Sequence, residues 1–468
     1  MPKLAVVPAL PFALALLVAG ALFMEILDGT IVSVAAPRIA ADFGVAPVDV
    51  HIVSTGYLLT VAVAIPVSRW AADRFGARRI FLAAIVIFTV ASAACAASTS
   101  LGLLTAARVA QGIGGAMMVP VGRLVVMRDT PREDVIRAVA FLTWPALTAP
   151  VLAPVLGGLI TEYSSWRWIF LINVPLGALA FAAALRLVPA SDQPRPPGLD
   201  WVGFALSGLG LGLVTYAAGM LEAERVRWST LIAFAGLGAL SLAAAVRHLL
   251  RVPAPLIDLR VLRIASVRRS AVGGSWFRMV VSAVPFLLPL MFQAGFGWSP
   301  IRSGLLVMAV FAGNIVIKPI TTPALRRLGF RPVLLGSGVG LAATVAACGA
   351  ITASTPLPAI AAVLFLSGAF RSVGFSAYNT IAFADTDAAT LGDVNTLMST
   401  ATQLMSGLGI AAAAVAVQVG AGLGFDGGGD PYRAAFVLVD LLMLLALADA
   451  LRVQRHAGAA IGGGTARR

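Results

Sequence analysis

Charge is what this chain has least of. Only 12% of its 468 residues are Asp, Glu, Lys or Arg, and 59% are hydrophobic; a soluble domain carries about 25% charged residues. So little charge cannot cover a water-facing surface, which excludes the soluble globular class and leaves a polytopic membrane protein. Lysine is nearly missing. Neither Lys3 nor Lys318 follows Gly and precedes Ser or Thr, so the phosphate-gripping loop G-x-x-x-x-G-K-[ST] is excluded. Histidine is confined to His51, His248 and His456, with no H-E-x-x-H and no G-x-S-x-G elbow, which argues against an intramembrane enzyme. The two cysteines, Cys95 and Cys348, lie far apart in apolar runs, so a disulfide framework is not expected. Neither a cofactor nor a metal is expected. The formal charge of +13 is spread over short segments between apolar runs, a pattern of membrane topology rather than of a nucleic-acid-binding face.

What is abundant is long apolar sequence. A spanning helix needs about 20 mainly apolar residues. Runs of that kind occur near 10–36, 49–70, 79–98, 101–124, 134–161, 166–188, 201–221, 228–248, 268–293, 299–323, 331–353, 357–381, 391–422 and 432–453, fourteen in all. The first run continues past signal-peptide length, so no cleaved leader is expected. With the N-terminus inside, 24 basic residues, Arg123 among them, fall on the cytoplasmic side and six outside. This predicts both termini in the cytoplasm. One loop dissents: ADTDAATLGD, 384–393, belongs to the cytoplasmic side yet carries acids and no base.

Two polar connections divide the chain. SDQPRPPGLD (191–200) is linker-like, and RVPAPLIDLRVLRIASVRR (251–269) is basic and suited to a membrane surface. The expected organisation is therefore a six-helix bundle over 1–190, a linker with a transmembrane hairpin at 201–250 inside 191–267, a second six-helix bundle over 268–453 and a tail over 454–468. A weak echo supports duplication: RWAADRFGARR follows the second run and PALRRLGFRP follows the tenth.

Several motifs stand out, each with a plainer explanation beside it. Asp73, Arg74, Gly76, Arg78 and Arg79 form D-R-x-G-x-R-R at a tight turn, where Gly supplies a positive φ and the acid caps a helix or pairs with an arginine; an ordinary basic loop is the alternative. In RVAQGIGGAMMVP, Gln111, Gly112 and Gly115 follow Arg108. Close helix packing accounts for the glycines. Arg108, about a turn and a half from the external end, either snorkels or meets a buried acid. Trp144 opens WPALTAPVLAPVLGGLI, where Pro145, Pro150 and Pro154 precede Gly157 and Gly158 and predict a bent, tightly packed helix.

Taken in order, LDGTIVSVAAP, DRFGARR, RVAQGIGGAMMVP, the Pro/Gly run and WRWIFLINVPLG resemble the fourteen-helix drug:proton antiporters of the major facilitator superfamily, the EmrB/QacA type. GGAMMVPVGRL and FSAYNTI are most similar to the MdtD-like members. The resemblance implies an all-α major facilitator fold and a proton-driven exporter of lipophilic, cationic compounds in the bacterial cytoplasmic membrane, acting as a single chain. It implies a proton-coupling role for Asp28, a relay role for Arg108, a cytoplasmic gate at Asp73, Arg74, Arg78 and Arg79, and the antiporter motif at Pro154, Gly157 and Gly158. This chain departs from the family pattern at Arg69, usually Gly; at Ala149 and Ala153, also usually Gly; and at Glu25, commonly Gln. Export of a lipid or lysophospholipid is the alternative of the same fold; an enzyme or sensor is a more distant one.

Glu25 and Asp28 are three residues apart in the first run and on a helix their Cβ atoms are about 5–6 Å apart. Two like charges that close do not both ionise cheaply, and an intramembrane acid that can gain and lose a proton is what a proton-coupled carrier needs. The expectation is that Asp28 carries the proton beside Arg108 while Glu25 assists or meets a cationic substrate; the alternative is that an acid merely bridges helices. In the second half, Arg278, Lys318, Arg371 and Asp440 lie at depth. Trp144, Arg278, Trp276, Asn379, Asn395 and Gln403 are the candidates for lining a substrate cavity, with lipid-facing or core packing the plainer explanation for the tryptophans.

Overall fold

The computed structural model describes residues 12–45, 47–128, 130–131, 134–189, 198–220, 227–387, 389–422 and 430–454. Among these residues there are seventeen α-helices and no strand. That follows from the chain's apolar character: inside hydrocarbon a helix satisfies its own backbone polar groups.

Four helices and two short helix pairs build the first half: α1 (Phe12–Phe43), α2 (His51–Ala64), α3 (Val67–Phe75), α4 (Ala77–Ala97), α5 (Leu101–Arg128), α6 (Val135–Tyr163), α7 (Trp168–Leu171) and α8 (Asn173–Leu187). A hairpin follows, α9 (Trp201–Met220) and α10 (Trp228–Leu249). The second half comprises α11 (Ala265–Leu290), α12 (Pro300–Val316), α13 (Lys318–Leu328), α14 (Phe330–Gly349), α15 (Leu357–Ile381), α16 (Leu391–Gly422) and α17 (Asp430–Leu451). Eleven segments are long and apolar enough to cross a membrane singly, and two bent pairs bring the number to 13. At the fifth expected run stands α6, one helix of 29 residues.

The bent pairs differ from the straight spans expected near 49–70 and 299–323. α2 and α3 meet at 60°, and α12 and α13 at 48°. Proline is the cause: Pro66 sits at the start of α3 and Pro319 in the first turn of α13, where each lacks an N–H and crowds the preceding turn. The two breaks occupy corresponding places in the halves. So do the turns that follow, where Gly76 (φ 90°) and Gly329 (φ 79°) take a backbone conformation that side chains disfavour. The faint echo in sequence is thus an echo in shape.

Within the first half α1 packs on α6, α5 and α8, and α4 packs on α5 and α8; within the second, α11 packs on α16 and α17, and α12 and α14 pack on α15. Ala149 and Ala153, where relatives carry Gly, are fully buried in the cluster that joins α1 to α6 and α7, so the added methyls are accommodated at that contact. Across the halves α6 meets α12 and α13 on one side, and α16 meets α2, α3 and α5 on the other. The hairpin lies against α2 and α16, with Gly208 and Gly212 closing on Val63 and Leu59.

Candidate functional site

The buried centre of the first half is polar. Arg108 of α5 and Asp28 of α1 form an ion pair through the Arg108 Nη1 and the Asp28 Oδ2, and neither side chain has any exposed surface. Three neutral groups complete the knot. The Gln111 side chain accepts from Arg108 at 2.7 Å, donates to Asp28 at 3.0 Å and donates to Ser92 at 2.7 Å. Asn173 of α8 donates to Asp28 at 2.7 Å. The Arg108 guanidinium lies 4.1 Å from the centre of the Tyr57 ring and 5.7 Å from that of Phe170. An ion pair removed from water needs such hydrogen bonds to offset its desolvation. The Asp28 carboxylate ties α1 to α5 and α8, and Gln111 and Asn173 extend the network to Ser92 of α4.

Glu25 stands apart from this knot. It lines a cavity of about 400 Å³ between the halves, with Thr30 of α1, Tyr57 of α2, Val119 and Arg123 of α5, Phe375 of α15, and Ser399, Thr402 and Gln403 of α16. Tyr57 divides the two acids: its ring covers Arg108 while the residue also lines the cavity. Expected as one pair, Glu25 and Asp28 face different compartments. A step of three residues turns a helix by about 60° short of a full turn, enough to straddle a seam. Arg123, grouped by sequence with the cytoplasmic basic residues, lies inside α5 and on the cavity.

The end of the molecule that carries the D-R-x-G-x-R-R turn is tied across the halves. Arg69 pairs with Asp393 of α16 and lies 3.3 Å from Asp73; Asp73 lies 3.9 Å from Arg128. Asn395 donates to the Pro120 carbonyl at 2.9 Å, and Arg326 approaches Asp134 at 4.0 Å. Arg78 donates to the Leu185 carbonyl, while Arg74 and Arg79 are exposed. The dissenting acidic loop thereby finds its counter-charge in Arg69, the residue that departs from the family pattern.

The glycines of α5 do packing work. A Cβ on Gly112 would meet Thr60 and the Tyr57 carbonyl at 2.9 Å, and one on Gly114 the Phe88 backbone at 2.7 Å; Gly115 faces Tyr57 and Glu25. Gly157 closes on Ile31 of α1, whereas Gly158 has open space. The side chains of Trp144, Pro150 and Pro154 lie outside the described residues.

The remaining candidates scatter. Gln403 lines the cavity. Asn395 serves the cross-half contact, and Asn379 accepts from Arg278 at 3.1 Å. Arg278, 1% exposed, also donates to the Ser270 carbonyl at 3.2 Å, and its Nε has no partner. Trp276 lies on a separate apolar groove of about 780 Å³ with Met279 of α11 and Met405 of α16. Lys318 donates to Ser376 at 2.7 Å. Nε and Nη1 of Arg371, and Oδ1 of Asp440, are buried without a hydrogen bond.

A helical array of two related halves around one cavity is matched by comparison with known proteins. The model of the Major Facilitator Superfamily matches residues 18–410 and again 270–460. The chain belongs to the major facilitator superfamily. Among curated relatives, "Putative multidrug resistance protein MdtD" of Cronobacter sakazakii is 39% identical over 401 residues, 84% of each chain. Its namesake in Citrobacter koseri is 37% identical over 394 residues, 84% of this chain and 83% of the relative. Two solved structures share the fold. The human organic anion transporter MFSD10 (TETRAN) has a TM-score of 0.62 at 15% identity, with 95% of this chain and 100% of that chain covered. The proton:xylose symporter XylE has a TM-score of 0.64 at 13% identity, with 93% of this chain and 94% of that chain covered. This multi-pass membrane protein is a transporter of the superfamily, and not an enzyme.

Proposed function

We propose that this major facilitator transporter is a proton-coupled exporter of lipophilic compounds bearing a cationic group, acting as a single chain in a bacterial cytoplasmic membrane by alternating access, with both termini inside. One observation supports the coupling above the others: the Asp28–Arg108 pair is wholly buried, centres a hydrogen-bond network that reaches four helices and lies one tyrosine away from the cavity.

The energetics follow from that geometry. Protonating Asp28 removes the counter-charge of a guanidinium with no access to water, and an uncompensated buried charge costs about 3–5 kcal/mol. The protonated state therefore favours a different packing of α1, α4, α5 and α8. A proton on one carboxylate becomes a bias on the arrangement of a half. Inward movement of protons through such a device drives substrate outward when substrate binding and protonation oppose each other, and the membrane potential adds about 2.3 kcal/mol per charge per 100 mV to an electrogenic exchange. Glu25 supplies the cavity with a negative partner for a substrate cation. The contacts of Arg69, Asp73, Asn395 and Asp134 close the cytoplasmic end, and the cavity belongs to the outward-facing arrangement.

Asp28→Asn tests this directly. It keeps the size and much of the hydrogen bonding, so the purified variant is expected to stay folded. In proteoliposomes with an imposed pH gradient, its transport of a lipophilic cationic dye is expected to fall to background. Undiminished gradient-driven transport by the variant would remove Asp28 from the coupling step.

A further inference from the structure

The cavity holds charges of both signs that do not satisfy each other. Glu25 and Arg123 both line it, both are half-buried, and neither has an ion pair or hydrogen bond within the protein among the described residues. They share the cavity wall without closing on each other. Arg278 of α11 is a further buried arginine, outside the lining of this cavity. Its own contacts are two neutral oxygens, and its Nε is orphaned and buried. No carboxylate accompanies Arg278. Charges held this way at membrane depth are costly unless a partner arrives.

One unpaired arginine and one unpaired carboxylate on the wall of a space of about 400 Å³ describe a missing partner with charges of both signs. A cavity of this size takes a drug-sized molecule. Its walls supply the rest: Phe375 and Val119 for an apolar body, and Gln403 for a neutral hydrogen bond. A purely cationic ligand would engage Glu25 and leave Arg123 with no counter-charge. A purely anionic ligand would leave Glu25 beside a second negative charge. Only a ligand with both groups gives Glu25 and Arg123 a partner each.

We infer that the cavity takes amphoteric ligands, zwitterions whose cationic group meets Glu25 and whose carboxylate or phosphate-like group seats on Arg123. This narrows the substrate class of the proposed exporter and rests on that reading for its setting. The chemistry itself is a binding property and does not require proton coupling.

Matched xanthene dyes test it without a gradient. Tetramethylrhodamine is a zwitterion, its methyl ester is a cation of the same body, and fluorescein carries negative charge alone. Binding to the full-length protein in nanodiscs of phosphatidylglycerol is read by fluorescence anisotropy. Tetramethylrhodamine is expected to bind about tenfold more tightly than its ester, the scale of one charge-assisted bidentate contact. Arg123→Gln is expected to erase that preference, and Arg123→Lys to keep part of it, which separates lost recognition from a damaged fold. Glu25→Gln is expected to erase the preference for tetramethylrhodamine over fluorescein. Equal affinity for acid and ester in the wild type, or a preference that survives Arg123→Gln, would overturn the inference. A zwitterionic headgroup is the other source of this chemistry. Adding phosphatidylcholine to the nanodiscs assigns the site to a lipid headgroup if dye affinity drops, and to a free solute if it does not. Since no proton gradient is present, loss of coupling in Asp28→Asn and loss of the acid preference in Arg123→Gln fail independently.

Discussion

Arg108 and Arg278 invite comparison. Each is an arginine on a helix of the inner bundle, each is essentially without exposed surface, and they belong to opposite halves. Arg108 has a carboxylate, a carboxamide and two aromatic faces around it. Arg278 has a backbone carbonyl and an asparagine oxygen. The first half carries its own counter-charge, built from α1. In the second half the buried acid Asp449 pairs with Arg269 at 2.6 Å, and the deep bases have no carboxylate partner among the described residues: Lys318 rests on a serine hydroxyl, and Arg371 lies 6.0 Å from the Phe311 ring centre with two nitrogens unsatisfied. Burial is the same in kind and compensation is not. One half is internally neutral and suited to switching by a proton; the other is left positive and suited to meeting something that comes and goes.

That contrast can be broken by substitution. The largest effect is expected at Asp28→Leu, which strands Arg108 and should lower stability by about 3–5 kcal/mol, read as a drop in Tm of the purified protein in detergent. Adding Arg108→Leu should recover most of the loss, since replacing a buried pair by apolar groups is often neutral. The second half should behave in the opposite sense. Arg278→Met removes a base with no acid partner and is expected to raise stability, by about 1 kcal/mol or more. A fall in Tm as large as that of Asp28→Leu would erase the distinction between the halves.

Smaller effects lie at the helix ends near the D-R-x-G-x-R-R turn, the cytoplasmic end in the proposed orientation. Arg69→Gly removes the cross-half pair with Asp393. With both side chains partly exposed, its contribution is expected at about 0.5–1 kcal/mol. Thr402→Cys, placed in the cavity, should then react about two- to fivefold faster with an impermeant maleimide offered from the cytoplasmic side. The smallest concerns Asp200, whose carboxylate accepts from the Gly203 N–H at 2.8 Å, meets His248 at 2.8 Å and accepts from the Leu256 N–H at 3.3 Å. Burial opposes its ionised form, but these partners together hold its carboxyl below the usual carboxylate value. Stability from this site is therefore present above the carboxyl's unfolded pKa and lost as pH falls through its lower folded one. Asp200→Asn should cost about 1 kcal/mol at neutral pH and nothing once the wild-type carboxyl is protonated, as thermal melts at the two pH values would show.

Much of this was legible beforehand because hydrocarbon imposes few solutions. Run length and hydropathy locate the helices, and the order of Asp73, Arg108, Gly112 and Gly157 resembles a known pattern. The Asp28–Arg108 partnership follows from the cost of leaving either alone. What was not legible depends on where the seams between helices fall. Three residues separate Glu25 from Asp28, and no local signal says that Tyr57 stands between them. Arg123 looked like part of a basic loop because counting charges places a residue along the chain and not around a helix. The bends were readable in principle: Pro66 and Pro319 mark them. The acids of the 384–393 loop were a readable anomaly too, explained only when Asp393 is seen against Arg69.

The seating of the hairpin has a mechanical corollary. α9 touches α2 of one half and α16 of the other, so any rocking of the halves obliges it to part company with one of them. Gly208 and Gly212 key it into Val63 and Leu59 of α2, as cogs fit a rack. It should ride with the first half and skid along α16, leaving the opposite flank, where α6 faces α12 and α13, as the side on which the jaws can gape.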